Sequence, residues 1–102
     1  MAKVVVSPEA RNDIISAAAY IRDELCNPDA AKRIVGELRK TITGLREMPA
    51  RGISLDSIIA VHTEFRFLPC ENYRIFYVLN DDTVEVIRII HMRQNYMKVL
   101  FE

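Results

Sequence analysis

"NYRIFYVLNDDTVEVIRIIH", Asn72 to His91, decides the fold. Two runs rich in β-branched and aromatic residues, "YRIFYVL" and "TVEVIRII", flank the turn "NDD", which is the pattern of a β-hairpin. Along the first run Tyr73, Ile75, Tyr77 and Leu79 share one side, while Arg74, Phe76 and Val78 share the other. The pairing depends on the turn. If the turn holds two residues, Asp81 and Asp82, Arg74 stands opposite Ile89 and His91 falls on Arg74's face. If it holds three, Asn80 to Asp82, Arg74 stands opposite Arg88 and His91 moves to the other face. A slip of one residue inverts every such assignment, and the sequence leaves both registers open, so Arg88 stays a candidate beside Arg74.

Upstream of the hairpin, "AVHTEFRFL" (Ala60 to Leu68) reads as another strand broken off by "PCEN", which makes a three-stranded meander. At the other end of the chain "KVVV" reads as a short strand, and Ser7 followed by Pro8 starts a helix. Ile14, Ala18, Ile21 and Leu25 then recur at helical spacing and predict one buried face. Asn27, Pro28 and Asp29 repeat the start signal. The second helix carries Ala31, Val35, Leu38, Ile42 and Leu45 on its apolar stripe and ends near "MPARG". Helices joined this tightly form an antiparallel hairpin. The expected fold is α+β in one domain, residues 1–102. An N-terminal strand and a helical hairpin pack on one face of an antiparallel sheet that the C-terminal meander completes.

Composition bounds the function. Half of the 102 residues are apolar and the formal net charge is zero, so a single core is affordable and no global field draws the chain to nucleic acid or an anionic membrane. A local excess of base runs through the second helix, where Lys32, Arg33, Arg39, Lys40, Arg46 and Arg51 face only Glu37 and Glu47. The basic residues repeat every seven positions and make an exposed flank. Cys26 and Cys70 lie far apart without a Cys or His at metal-ligand spacing, which predicts reduced thiols, no metal and no cofactor. The apolar run after Met1 is too short for a signal peptide, and no segment is long enough to span a membrane, so a cytoplasmic protein is expected.

The chemistry-bearing residues cluster at the end of the last strand. Arginines on a sheet must face solvent or pair with acid, and Glu64 and Glu85 are the partners in reach for Arg74 and Arg88. His91, Arg93 and Tyr96 follow where a side chain can reach over a sheet face. Together with Arg74 they make a set suited to phosphodiester work. An arginine would hold the scissile phosphate, His91 or Tyr96 would serve as acid or base, and Tyr96 would alternatively stack on a base.

Taken in order, "SPEARNDIISAAAYI" (Ser7 to Ile21), "NPDAAKRIVGELRKTITGLREMP" (Asn27 to Pro49), the hairpin Asn72 to His91 and "RQNY" (Arg93 to Tyr96) resemble the RelE/ParE superfamily of type II toxin–antitoxin toxins over nearly the whole chain. The resemblance implies a small bacterial, growth-inhibiting toxin that assembles with a cognate antitoxin into a hetero-oligomer. RelE-like members are mRNA interferases that cleave mRNA on the ribosome without a metal cofactor, whereas ParE-like members poison DNA gyrase. Arg74 matches the arginine of the penultimate strand that handles phosphate in the nucleases, and Arg93 matches their second arginine. His91 and Tyr96 lie near the positions where those enzymes place a His or Tyr. Two features depart from the RelE pattern. Tyr96 follows Arg93 too closely, and His62, Glu64 and Arg66 stand where RelE carries paired lysines. Glu64 is then the base that the resemblance to YoeB-like members suggests.

Two functions follow. The first is a ribosome-dependent endoribonuclease with the catalytic set Arg74, His91, Arg93, Tyr96 and Glu64. The second is a gyrase-directed toxin that acts by protein–protein binding. The coincidence of suitable residues tips the reading toward the nuclease, against the near-neutral charge, since docking on ribosomal RNA draws on many basic contacts.

Overall fold

A computed structural model describes residues 1–102. Strand β1 (Lys3–Val6) leads into helix α1 (Pro8–Ala19), a π-helical turn (Tyr20–Glu24) and helix α2 (Pro28–Gly44). There follow a two-residue strand β2 (Ile53–Ser54), a 3₁₀ turn (Leu55–Ser57) and strands β3 (Phe65–Cys70), β4 (Tyr73–Asn80) and β5 (Thr83–His91). A short C-terminal helix α3 (Tyr96–Phe101) ends the chain. The α+β architecture and the helical hairpin are as the sequence predicts, and both helix starts form as read. The Ser7 hydroxyl accepts from Ala10 N–H at 3.0 Å, and the Asn27 side chain accepts from Ala30 N–H at 3.1 Å.

The sheet differs from expectation in three ways. Its order is β1-β5-β4-β3-β2, and β1 lies parallel to β5, so the sheet is mixed rather than wholly antiparallel. A parallel neighbour needs a long crossover, and the helical hairpin with the rest of the sheet supplies one. Strand β3 begins at Phe65 rather than Ala60 and runs through Pro69 and Cys70, where the sequence pattern predicts a break. Pro69 is exposed and in register with Arg74. Finally, β2 adds an edge strand that two residues are too few to announce.

The hairpin resolves in an unforeseen way. Asn80 pairs with Thr83, so the turn holds two residues, Asp81 and Asp82, with Asp81 in left-handed backbone (φ 53°). That register alone would put His91 and Arg74 on one face. A β-bulge intervenes. Tyr77 pairs with Val86 but Phe76 with Arg88, which leaves Ile87 as an extra residue on β5. Beyond it Arg74 stands opposite Ile90 and Tyr73 opposite His91, so the faces are those of the other register.

The bulge falls where β1 leaves the sheet. Val6 is the last β1 residue paired with β5, opposite Val86, and an unprotected edge would follow. Helix α1 covers it with side chains. The Ser7 hydroxyl donates to the Ile87 carbonyl at 2.7 Å, and Asp13 Oδ2 accepts the Ile89 N–H at 2.9 Å. Asp13 also receives Arg88 in a two-pronged pair, Nε to Oδ2 at 2.8 Å and a terminal nitrogen to Oδ1 at 2.9 Å. The partner of Arg88 is therefore Asp13 on α1, not the cross-strand Glu64 or Glu85. This bonding raises the Arg88 pKa further above its ordinary range.

Two apolar layers result. The larger lies between the sheet and the helical hairpin, where Tyr73, Ile75, Tyr77, Val84, Val86 and Ile89 meet Ala17, Ile21, Ile34, Leu38, Ile42 and Leu45. Ile34 is buried and Val35 only half-buried, which turns the α2 stripe slightly from the predicted set. Leu25, predicted to be core, is 57% exposed. The π-helical turn, closed by Leu25 N–H on the Tyr20 carbonyl at 3.2 Å, inserts a residue and rotates Leu25 off the buried face. The second layer covers part of the face expected to be open. Leu55, Phe67, Phe76 and Ile90 form it, with Tyr96, Val99 and Leu100 of the α3 segment packed against them.

Tyr77 ties the loop after α2 to the sheet. Its ring is fully buried, and its hydroxyl donates to the Pro49 carbonyl and accepts Gly52 N–H, both at 2.8 Å. A Cβ on Gly52 would meet that hydroxyl at 2.5 Å, so the close approach requires glycine.

Two stability predictions follow from these contacts. Tyr77→Phe keeps the ring but orphans a buried N–H and carbonyl, and should cost about 1–3 kcal/mol in urea unfolding. Asp13→Ala strands Arg88 and the Ile89 N–H. Because Arg88 keeps 32% of its side chain in solvent, the cost should be about 2 kcal/mol, below that of a fully buried pair. A loss under about 0.5 kcal/mol would show that water replaces the carboxylate.

Candidate functional site

The bulge divides the residues that the sequence grouped. On the face away from the helical hairpin, Arg74 projects between Pro69 and Ile90. Asn95 caps α3 by accepting Lys98 N–H at 3.3 Å, which brings Tyr96 down onto the sheet. The Tyr96 ring lies 5.4 Å from that of Phe76, and the Arg74 guanidinium carbon lies 5.7 Å from the Tyr96 centroid. Arg74 and Tyr96 thus form one unit, a half-buried cation over an aromatic ring.

His91 and Arg93 belong to the other side of the sheet. The His91 ring packs edge-on against Tyr73 at 5.1 Å, and its Nδ1 accepts the Arg93 N–H at 3.0 Å. Gln94 locks the same turn, its side-chain oxygen accepting His91 N–H at 3.1 Å. His91, Arg93 and Gln94 line a cleft of about 740 Å³ with Asp13 and Tyr20 of the first helical segment.

Glu64 joins neither group. It lies just before β3, five residues along from Pro69, which pairs with Arg74. At about 3.3 Å per residue that is roughly 16 Å away. Its side chain is 77% exposed and lies 3.6 Å from His62 Nε2, whose Nδ1 is 2.6 Å from Asp56. Asp56 is the organiser of this loop. It accepts Thr63 N–H at 2.7 Å and the Thr63 hydroxyl at 3.0 Å, and these bonds, the backbone one foremost, hold its carboxyl below the ordinary aspartate range.

Of the five predicted residues the structure therefore brings together Arg74 with Tyr96 and His91 with Arg93, and it leaves Glu64 apart. Sequence reasoning missed Tyr73 and Tyr20 on the cleft. Tyr73 shares the side of β4 that Ile75 and Tyr77 occupy, a set the alternation groups without saying that it borders a cleft, and Tyr20 is aimed by the π-helical turn, which no residue type announces. No group of His, Cys, Asp and Glu is arranged to hold a metal ion.

The fold has counterparts among solved structures. A solved chain described as the chromosomal ParDE toxin–antitoxin system from P. aeruginosa superposes with a TM-score of 0.74 at 16% identity, covering 89% of this chain and 96% of that one. The E. coli DinJ–YafQ complex matches with a TM-score of 0.57 at 13% identity over the full length of both chains, and E. coli YafQ by itself matches with a TM-score of 0.53 at the same identity. No curated protein matches significantly by sequence. These likenesses show a shared fold. Residues 4–96 match the model for the ParE toxin of the type II toxin–antitoxin system parDE, and the chain belongs to that family.

The Tyr96 contacts predict how α3 is held. Tyr96→Ala should speed hydrogen exchange at the Val99 and Glu102 amides, which donate within α3, and lower global stability by about 1–2 kcal/mol. Unchanged exchange at those amides would mean that Val99 and Leu100 alone dock the helix.

Proposed function

We propose that this toxin arrests growth by binding DNA gyrase, as ParE-like members do, and not by cutting mRNA on the ribosome. The carrying observation is the division of the phosphate-handling and proton-transferring residues between two faces of the sheet. General acid–base catalysis with a phosphate clamp needs its groups within hydrogen-bond reach of one scissile phosphate. Here a sheet stands between Arg74 with Tyr96 and His91 with Arg93, and Glu64 lies at the far end of β3. Membership of the ParE family points the same way, as does a formal net charge of zero, which suits a protein target better than ribosomal RNA. Arg74 over Tyr96 then reads as a contact for a protein surface, since Arg and Tyr are favoured at interface hot spots.

A cognate antitoxin is the second proposed partner. The family description names a two-component system, and the similar solved structures include a ParDE system and a DinJ–YafQ complex. No helix of the chain is long and apolar enough to cross a membrane, which fits a target inside the cell.

The purified chain should inhibit gyrase supercoiling in vitro, and its induction in cells should produce DNA breaks and an SOS response. Primer extension on translated mRNA should show no cuts phased to codons. Codon-phased cleavage with supercoiling unaffected would restore the nuclease reading.

A further inference from the structure

Helix α3 is apolar on both of its sides. Tyr96, Met97, Val99, Leu100 and Phe101 are aromatic or aliphatic, and Lys98 is the exception. Tyr96, Val99 and Leu100 pack down onto Leu55, Phe67, Phe76 and Ile90. Met97 and Phe101, four residues apart, share the outer side and are 37% and 46% exposed. A helix apolar all round belongs between two layers, whereas this one has a layer beneath it and solvent above.

More apolar surface gathers around the same buried cluster. Phe101 meets Phe65 of β3 edge-on at 5.7 Å, and the exposed Ile53 of edge strand β2 stands opposite Phe67. The loop between β2 and β3 is pinned to the cluster by Leu55 and Ile59 and closed by Asp56 on Thr63. It nevertheless turns Ile58 and Val61 outward, each more than half exposed. Apolar side chains grouped in this way mark an interaction site, where single scattered ones would not. The charges beside them set the partner's chemistry. Arg74, half-buried over the Tyr96 ring, and Lys98 on α3 take part in no ion pair. A partner that shuts Arg74 away from water must bring a carboxylate to it, since an unpaired buried cation is costly. A nucleic acid would use the two cations but leave Met97, Phe101 and Ile58 in water, so a protein surface is the better fit.

We infer, resting on the gyrase reading above, that the outer side of α3 is the surface that docks on gyrase, and that it takes an apolar patch of the enzyme bordered by a carboxylate. Met97 and Phe101 form the centre, Arg74 on Tyr96 receives the carboxylate, and Ile58 and Val61 form the apolar rim. Aromatic residues, Met and Arg are the types that protein interfaces enrich at their centres. The helix that completes the second layer of the fold is thereby also the toxin's contact with its target.

The test titrates the full-length chain and its variants against purified gyrase, reading the concentration that halves supercoiling. Met97→Glu on α3 and Ile58→Glu on the loop change exposed side chains, and each should raise that concentration about tenfold or more. Arg74→Gln should raise it about tenfold as well, through the lost charge pair. Ile15→Glu, an equally exposed change on α1, should leave it unmoved. Circular dichroism melting of each variant reports whether the fold is kept, and Ile58→Glu, which does not touch α3, serves if Met97→Glu unfolds. Inhibition by wild type, Met97→Glu and Ile58→Glu alike overturns this surface alone, as does a loss with Ile15→Glu as large as theirs. So does a wild-type dimer in sedimentation that Met97→Glu dissociates, because a second copy then covers the stripe. Failure of the wild-type chain to inhibit overturns the gyrase reading, and this surface with it.

Discussion

The carboxylate of Asp13 does for β5 what a neighbouring strand would otherwise do. Strand β1 accompanies β5 only as far as Val86, and the chain must then turn away to begin α1. The backbone that β1 abandons is taken up by two side chains of the departing segment, Ser7 on the Ile87 carbonyl and Asp13 on the Ile89 N–H. Helix and sheet are thereby fastened at the point where the ladder is irregular. The extra residue, Ile87, can persist because its own carbonyl and the next edge N–H, that of Ile89, are satisfied by Ser7 and Asp13. Arg88 is drawn into the same carboxylate, which removes it from the set of arginines free to meet a ligand.

The separation of Arg74 from His91 descends from that one inserted residue. Without it, a two-residue turn would carry Arg74 and His91 on the same face. With it, the cation on β4 meets Tyr96 and the imidazole meets Tyr73, on opposite sides of the sheet. A shift in register is thus enough to scatter residues that lie close together in the sequence.

Much of this fold was legible from residue pattern. Ser7-Pro8 and Asn27-Pro28 start helices because their side chains cap the first turn and proline gives up no bond there. A hairpin turning within Asn80 to Asp82 is legible as well, but the choice of a two-residue turn with Asp81 in left-handed backbone is not. The bulge was not, because "VEVIRIIH" carries no glycine and its β-branched residues suit either register. Leu25 was misplaced because helical spacing assumes a regular helix, and the π-helical turn breaks that spacing by one residue. The parallel placement of β1 depends on contacts far along the chain. The covering of the second face by α3 depends on Tyr96, Val99 and Leu100, whose spacing spans barely one turn.

The bond between Ser7 and Ile87 joins residues 80 apart, and it has a kinetic meaning. During synthesis β1 and the helical hairpin emerge long before β5, so the apolar faces of α1 and α2 wait without a sheet to cover them. Loop-closure entropy delays such distant pairings even in the finished chain. On the ribosome the seam between the two ends can close only after β5 has emerged, and a chain ending before β5 has neither a complete core nor the Arg74–Tyr96 and Tyr73–His91 contacts. A cell that makes this toxin therefore has an interval, set by translation and folding together, in which the polypeptide exists and its harm does not.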